Sequence, residues 1–220
     1  MTQSERVHIY VDGGNFYHLV LKKLGIRELD FSFEKLVEFL ANGREITGKR
    51  YYVGTVRERQ GNPKTKEAMS RQTKFFTVLN SSHWSVNTSK LRTRLERIVI
   101  DDRVLGYQEL QKKGVTHIEF ERTREKGIDV KLATDLIVGA IDNQYDVAIV
   151  ISSDADLVPA IDWIRIRQKK KVEYIGFSIL DHKTNEQTRP LQTMISRTDI
   201  QRIFIESDLK SFIIENQKLE

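Results

Sequence analysis

The 220-residue chain contains no cysteine. Disulfides and thiolate metal sites are therefore excluded, and a reducing compartment such as the cytoplasm is the simplest expectation. No apolar run approaches the length that spans a bilayer, so no membrane association is expected. The first ten residues, MTQSERVHIY, lack a basic segment followed by an apolar stretch, and no secretory leader is read there. Internal repeats, low-complexity tracts and linker-like stretches are also missing. One domain over 1–220 is the simplest organisation, with an insertion or elaborated hairpin at about 84–125 and a C-terminal appendage at about 186–220.

What is present describes a folded protein. Apolar residues make up 39% and charged residues 30% of the chain, against the disordered class. The net charge is +5. If acidic residues gather in one place, the remaining surface is more basic than that total, which favours a polyanion as partner.

Strand and helix patterns alternate along the chain. Val7 to Val11 is nearly all apolar or aromatic, as a strand covered on both faces should be. Phe16 to Leu24 reads as a helix, with Phe16, Leu19, Val20 and Leu24 on one stripe and Gly25 as a C-cap. Phe33 to Leu40 reads as a second, capped by Ser32. Further strands are expected at 50–56, 86–95, 116–120, 147–151, 172–177 and 200–205. Further helices are expected at 64–79, 129–141, 157–167 and 209–214. Such alternation predicts a Rossmann-like, three-layer α/β/α fold with a mainly parallel central sheet.

In open parallel sheets, ligands bind beyond the carboxyl ends of the strands. Asp12 directly follows the first strand. Asp154 and Asp156 follow the strand ending at Ile151, through Ser152 and Ser153. Asp129 opens a helix whose start reaches the same edge in a right-handed crossover. Each acid alone reads as a turn or helix cap. Together they would repel one another without a cation. Magnesium and manganese prefer hard oxygen ligands and can activate water beside a phosphate. A carboxylate group without cysteine or a required histidine thus fits phosphodiester hydrolysis.

Three segments carry a resemblance: Ile9 to Asn15 (IYVDGGN), Lys126 to Val130 (KGIDV) with Leu132 and Asp135 after it, and Ile151 to Pro159 (ISSDADLVP). As a set they resemble the signature blocks of the NYN family, within the PIN-like nuclease superfamily, over about residues 6–177. The resemblance implies a metal-dependent endoribonuclease in which Asp12, Asp129, Asp154 and Asp156 hold Mg2+ or Mn2+ and position water. Asn15 would orient Asp12 or contact substrate, and Ser152 and Ser153 would shape the loop. Lys126 could meet a phosphate, and Asp135 is a secondary candidate. The sequence departs from the family pattern at Ser153, where glycine is commoner, and at Leu157, where phenylalanine is.

RNA binding has its own candidates. Lys90, Arg92 and Arg94 alternate with Leu91, Thr93 and Leu95, which on one strand gives a face of three cations. Lys64, Arg71 and Lys74 form a basic helix face. Both patterns also describe ordinary solvated faces. Tyr51, Tyr52, Trp84 and Tyr107 could stack bases or serve as core. His8 and His18 are not spaced as an acid–base pair.

Competing readings remain open at this level. The same fold could serve as an RNA-binding or regulatory module with weak turnover. A haloacid-dehalogenase-type phosphatase would need a second acid where Gly14 stands. The apolar end segment with Phe204, Phe212, Ile213 and Ile214 could support a homodimer or pack on the chain's own core.

Overall fold

A computed structural model of the chain describes residues 4–56, 63–90, 92–124, 127–181 and 183–214. Strand β1 (Arg6–Asp12) leads into α1 (Gly13–Phe16). The helix continues through a π turn (Tyr17–Leu21) into α2 (Lys22–Leu24). It begins three residues earlier than the apolar stripe predicts. Asp12 caps it, accepting the backbone N–H of Asn15 at 2.9 Å, so two glycines enter the first turn. Gly25 ends it at φ +69°, as expected of a C-cap.

Helix α3 (Phe33–Ala41) follows, with Ser32 as its N-cap. Strand β2 (Glu45–Thr55) is longer than predicted, because its first residues already pair with β1 from Arg6 onward. Then come α4 (Pro63–Ser81) and β3 (Ser85–Lys90). The stretch read as a single strand over 86–95 divides: β3 stays in the central sheet, and β4 (Arg92–Val99) leaves it. After α5 (Tyr107–Lys112), strand β5 (His117–Arg124) pairs antiparallel with β4 as a separate two-stranded ribbon.

Regular alternation returns with α6 (Ile128–Ile141), β6 (Val147–Ile151), α7 (Val158–Arg167) and β7 (Lys171–Ser178). Two short strands, β8 (Leu180–Asp181) and β9 (Glu186–Gln187), form a small ribbon. The chain continues through α8 (Gln192–Arg197) and β10 (Ile200–Ile205) to α9 (Glu206–Leu209). The helix expected at 209–214 is only a 3-10 turn over Lys210–Phe212, since Ile213 bridges to Phe31 instead.

The central sheet has six strands in the order β10-β7-β6-β1-β2-β3, every neighbouring pair parallel. The α/β/α expectation is met. Alternation along β1 divides the core in two. Val7, Ile9 and Val11 face Phe16, Phe33 and Leu36 on one side. Tyr10 faces Leu132, Leu136 and Ile161 of α6 and α7 on the other. Each fully buried leucine or isoleucine contributes about 1.5–3 kcal/mol relative to exposure. Phe204 and Phe212 lie in the first of these cores, 5% and 4% exposed. These two phenylalanines thus pack on their own chain while Ile214 is exposed, and the dimer expectation gains no support from them.

No helix among the described residues is long and apolar enough to cross a membrane.

Candidate active site

The strand order reverses at the β1–β6 pair: the chain builds outward to β2 and β3 on one side and to β6, β7 and β10 on the other. The carboxyl ends at such a seam leave a crevice between diverging connections. Register places Val11 opposite Ile151, so Asp12 and Ser152 emerge side by side. The Ser152 hydroxyl donates to Oδ2 of Asp12 at 3.0 Å. The Ser152 hydroxyl oxygen also accepts the backbone N–H of Asp154, at 3.2 Å. Asn15 completes the brace: its side-chain Oδ1 accepts the N–H of Ser153 at 3.0 Å. The Ser153 hydroxyl in turn lies 2.8 Å from that of Tyr174 on β7, which also accepts the N–H of Leu191 at 3.2 Å. Tyr174 has no signature in the sequence beyond being aromatic in a buried strand.

Asp12 is 6% exposed. Burial pushes its carboxyl up to about 6; the bonds from Asn15 and Ser152 oppose this, and the charges of Asp129 and Asp154 add to it. Asp129, in the first turn of α6, is also raised, by burial and then by Asp154, with Asp156 contributing. Asp154 caps the short turn Ala155–Leu157 by accepting the N–H of Asp156 at 2.9 Å. Asp156 is exposed. The four acids from three separate segments therefore share one electrostatic neighbourhood. Among the described residues, no three His, Cys, Asp or Glu side chains form a group that could hold a metal ion.

The donor set fits a hard divalent cation in chemistry. All four side chains offer carboxylate oxygens, and their mutual repulsion is what a cation relieves. Hydrogen bonds from Asn15 and Ser152 leave further lone pairs on both Asp12 oxygens.

Asp135 sits elsewhere. It pairs with Arg50 at 2.9 Å and accepts from the Tyr52 hydroxyl at 2.7 Å, inside a polar cluster beneath the sheet that includes His8. Six residues along α6 carry it about 9 Å from Asp129 along the axis. Lys126 lies outside the described residues, as do the side chains of Lys90 and Arg92. Arg94 is exposed on β4, in the ribbon. Lys64 and Lys74 are exposed on α4, where Arg71 pairs with Glu67 one turn away. Trp84 is buried, its indole N–H donated to Glu34.

Gly13 has a packing reason. A Cβ there would run into the ring of Tyr51, whose hydroxyl end lies against the first turn of α1.

Comparison with known proteins agrees with this architecture. The model of the NYN domain matches residues 6–197. The 6-hydroxy-3-succinoylpyridine 3-monooxygenase HspA of Pseudomonas putida (strain DSM 28022 / S16) is 24% identical over 184 residues, which is 73% of this chain and 55% of that protein. The chain thus spans about half the length of this curated relative. A solved structure of a protein of unknown function, VPA0982 from Vibrio parahaemolyticus RIMD 2210633, matches with a TM-score of 0.58 at 20% identity, covering 94% of this chain and 96% of that one. That likeness is one of fold.

Proposed function

This chain belongs to the NYN domain family, and we propose from that premise that it is an endoribonuclease working at the edge where β1 and β6 end. The family has a nuclease-like fold, and its members are generally ribonucleases. The observation that carries the proposal is the buried Asp12 carboxylate at the seam of the sheet, held by Ser152 and Asn15 and loaded by the charges of Asp129 and Asp154.

Asp12, Asp129, Asp154 and Asp156 would hold Mg2+ or Mn2+. When bound, such an ion supplies positive charge for phosphate oxygens and acidifies water. The chain's own groups do the rest. Ser152 and the Asn15 backbone fix both oxygens of Asp12, so the carboxylate meets substrate already oriented. Asn15 and Tyr174 hold the loop of Ser153 and Asp154 against the end of β1. A carboxylate of this group takes the proton from an attacking water as its oxygen bonds to phosphorus. The bond to the 3′ oxygen breaks and that oxygen takes a proton from solvent water, leaving a 5′ phosphate and a 3′ hydroxyl.

Labelled RNA incubated with the protein and Mg2+ or Mn2+ tests this. Cleavage should appear, stop with chelator and be lost in Asp12→Asn while the circular dichroism spectrum is kept. Undiminished cutting by that variant would remove the assignment.

The acids are not closed into a group of three at ligating distance, and this favours one second reading: an RNA-binding module with little turnover on the same fold. RNA binding without metal-dependent cleavage in the same assay would select it.

A further inference from the structure

A cavity of about 370 Å3 lies between α1, the end of β2 and α4, starting at the two glycines that follow Asp12. Its size is within the roughly 300–1,000 Å3 range of small-ligand sites. We propose that it is a nucleobase subsite, which receives one unstacked base of single-stranded RNA whose backbone passes the Asp12 edge. This deepens the ribonuclease reading and rests on it for the identity of the polymer.

Three observations support the assignment. The first is the floor. Tyr51 lines the cavity and is 2% exposed, so its ring is packed in the core and reaches the cavity wall. A phenol on a cavity wall can donate to, or accept from, a polar group that enters the cavity. Gly13, the residue after Asp12, leaves the room that the hydroxyl end of Tyr51 occupies. The second is the wall. Tyr17 from the π turn and Phe76 from α4 line the same cavity and are half-buried, so part of each ring is free to take a π face. Glu28, also lining it, gives an acceptor for the N–H groups that every base carries on its pairing edge.

The third is charge. Ala68, Arg71 and Phe75 line the cavity from α4, and Lys64 precedes Ala68 by one turn on that same face. Of the basic helix face read from the sequence, Arg71 thus borders the pocket, where, beside its pair with Glu67, it can meet a phosphate flanking a bound base. The two sheet faces divide the work: Asp12 lies on the β1 face turned to α6, while Tyr51 is paired with Val11 on the other. A strand of RNA crossing the sheet edge would place phosphate at one and base at the other.

The test measures binding and cleavage separately. In the presence of chelator, fluorescence anisotropy of a short labelled single-stranded RNA is compared with the same RNA made abasic at every position in turn. Tyr51→Phe removes only the hydroxyl, and Phe76→Ala removes one half-buried ring; thermal melts confirm that both fold. Each variant should weaken binding of intact RNA about tenfold, the range of base–aromatic contacts. One abasic position should weaken binding to wild type similarly and be indifferent to the variants. Equal binding of all proteins to intact RNA, or no position sensitive to base removal, overturns the subsite. Cleavage with Mg2+ that persists alongside such a result leaves the nuclease reading standing. Base-dependent binding without cleavage upholds the subsite and removes the catalytic reading instead.

Discussion

Ser152 and Asp12 meet across the seam where the sheet reverses its order, the serine hydroxyl donating to Oδ2 of the aspartate at 3.0 Å. That hydroxyl also accepts from the Asp154 backbone, so one buried oxygen links two of the acids. Ser152→Ala breaks both contacts. The carboxyl of Asp12 should rise further, since one of the bonds that lowers it is gone. Steady-state cleavage should show kcat down about tenfold with KM within about twofold, and the acid limb of the pH–rate profile moved upward. A fall in KM-related binding alone would place Ser152 in substrate contact instead.

Asp135 gives the opposite expectation. Its carboxylate is tied to Arg50 and Tyr52, away from the other acids. Asp135→Asn should cost about 1–3 kcal/mol of stability in urea titration and leave kcat within about threefold. A loss of kcat like that of Asp12→Asn would bring Asp135 into the catalytic group.

The sequence was most readable where one element suffices. The runs Val147–Ile151 and Ile200–Ile205 are strands with the predicted bounds: the first is wholly β-branched and small apolar residues, as a strand buried on both faces requires, and the second mixes apolar and polar residues, as an edge strand can. Asp12, Asp129 and Asp154 were legible as strand-end and helix-start acids. What was hidden depends on long-range pairing. Nothing local ends β3 at Lys90 and sends β4 into its own ribbon; only the partner strand, β2 or β5, decides it. The hold of Tyr174 on Ser153 joins residues 21 apart. Tyr51 reads as one aromatic among several, and its place on the cavity wall is a property of packing.

Glu173 is another residue that only tertiary structure explains. It is fully buried on β7, 3.0 Å from Arg44, and its other oxygen lies 2.6 Å from Arg202. That second contact brings charges together without an aligned hydrogen bond, for Oε1 has none. Glu173→Gln would leave two guanidinium groups facing a neutral amide. Removing one partner of a buried pair typically costs about 3–5 kcal/mol, and a lower midpoint in urea with unchanged slope should report it. Replacement by leucine together with Arg44→Met and Arg202→Met should recover most of that loss.

Two buried groups four residues apart on β1 should give stability opposite slopes with pH. Burial, then the charge of Arg50, holds His8 at about 4, with Asp135 opposing, against 6.5 in the unfolded chain. Between those values the unfolded state binds the extra proton, so the His8 contribution is full above about 6.5. It is lost as pH falls toward 4, by about 3 kcal/mol in all. Asp12 runs the other way. Its folded value near 6 lies above the unfolded 3.8, so the folded state holds the proton between them. Its contribution is present below 3.8 and lost as pH rises through 6, by about 2–3 kcal/mol. Urea titrations in chelator at pH 4, 5, 6 and 7.5 separate the two. His8→Gln should remove the loss toward acid, so its difference from wild type shrinks and reverses as pH falls. Asp12→Asn should be more stable than wild type at pH 7.5 and converge with it near pH 4, since the amide keeps the cap on Asn15 and carries no charge to bury. Parallel curves for wild type and Asp12→Asn across this range would mean that the seam carboxylate is strained neither by burial nor by its neighbours, and would take away the reason for a cation there.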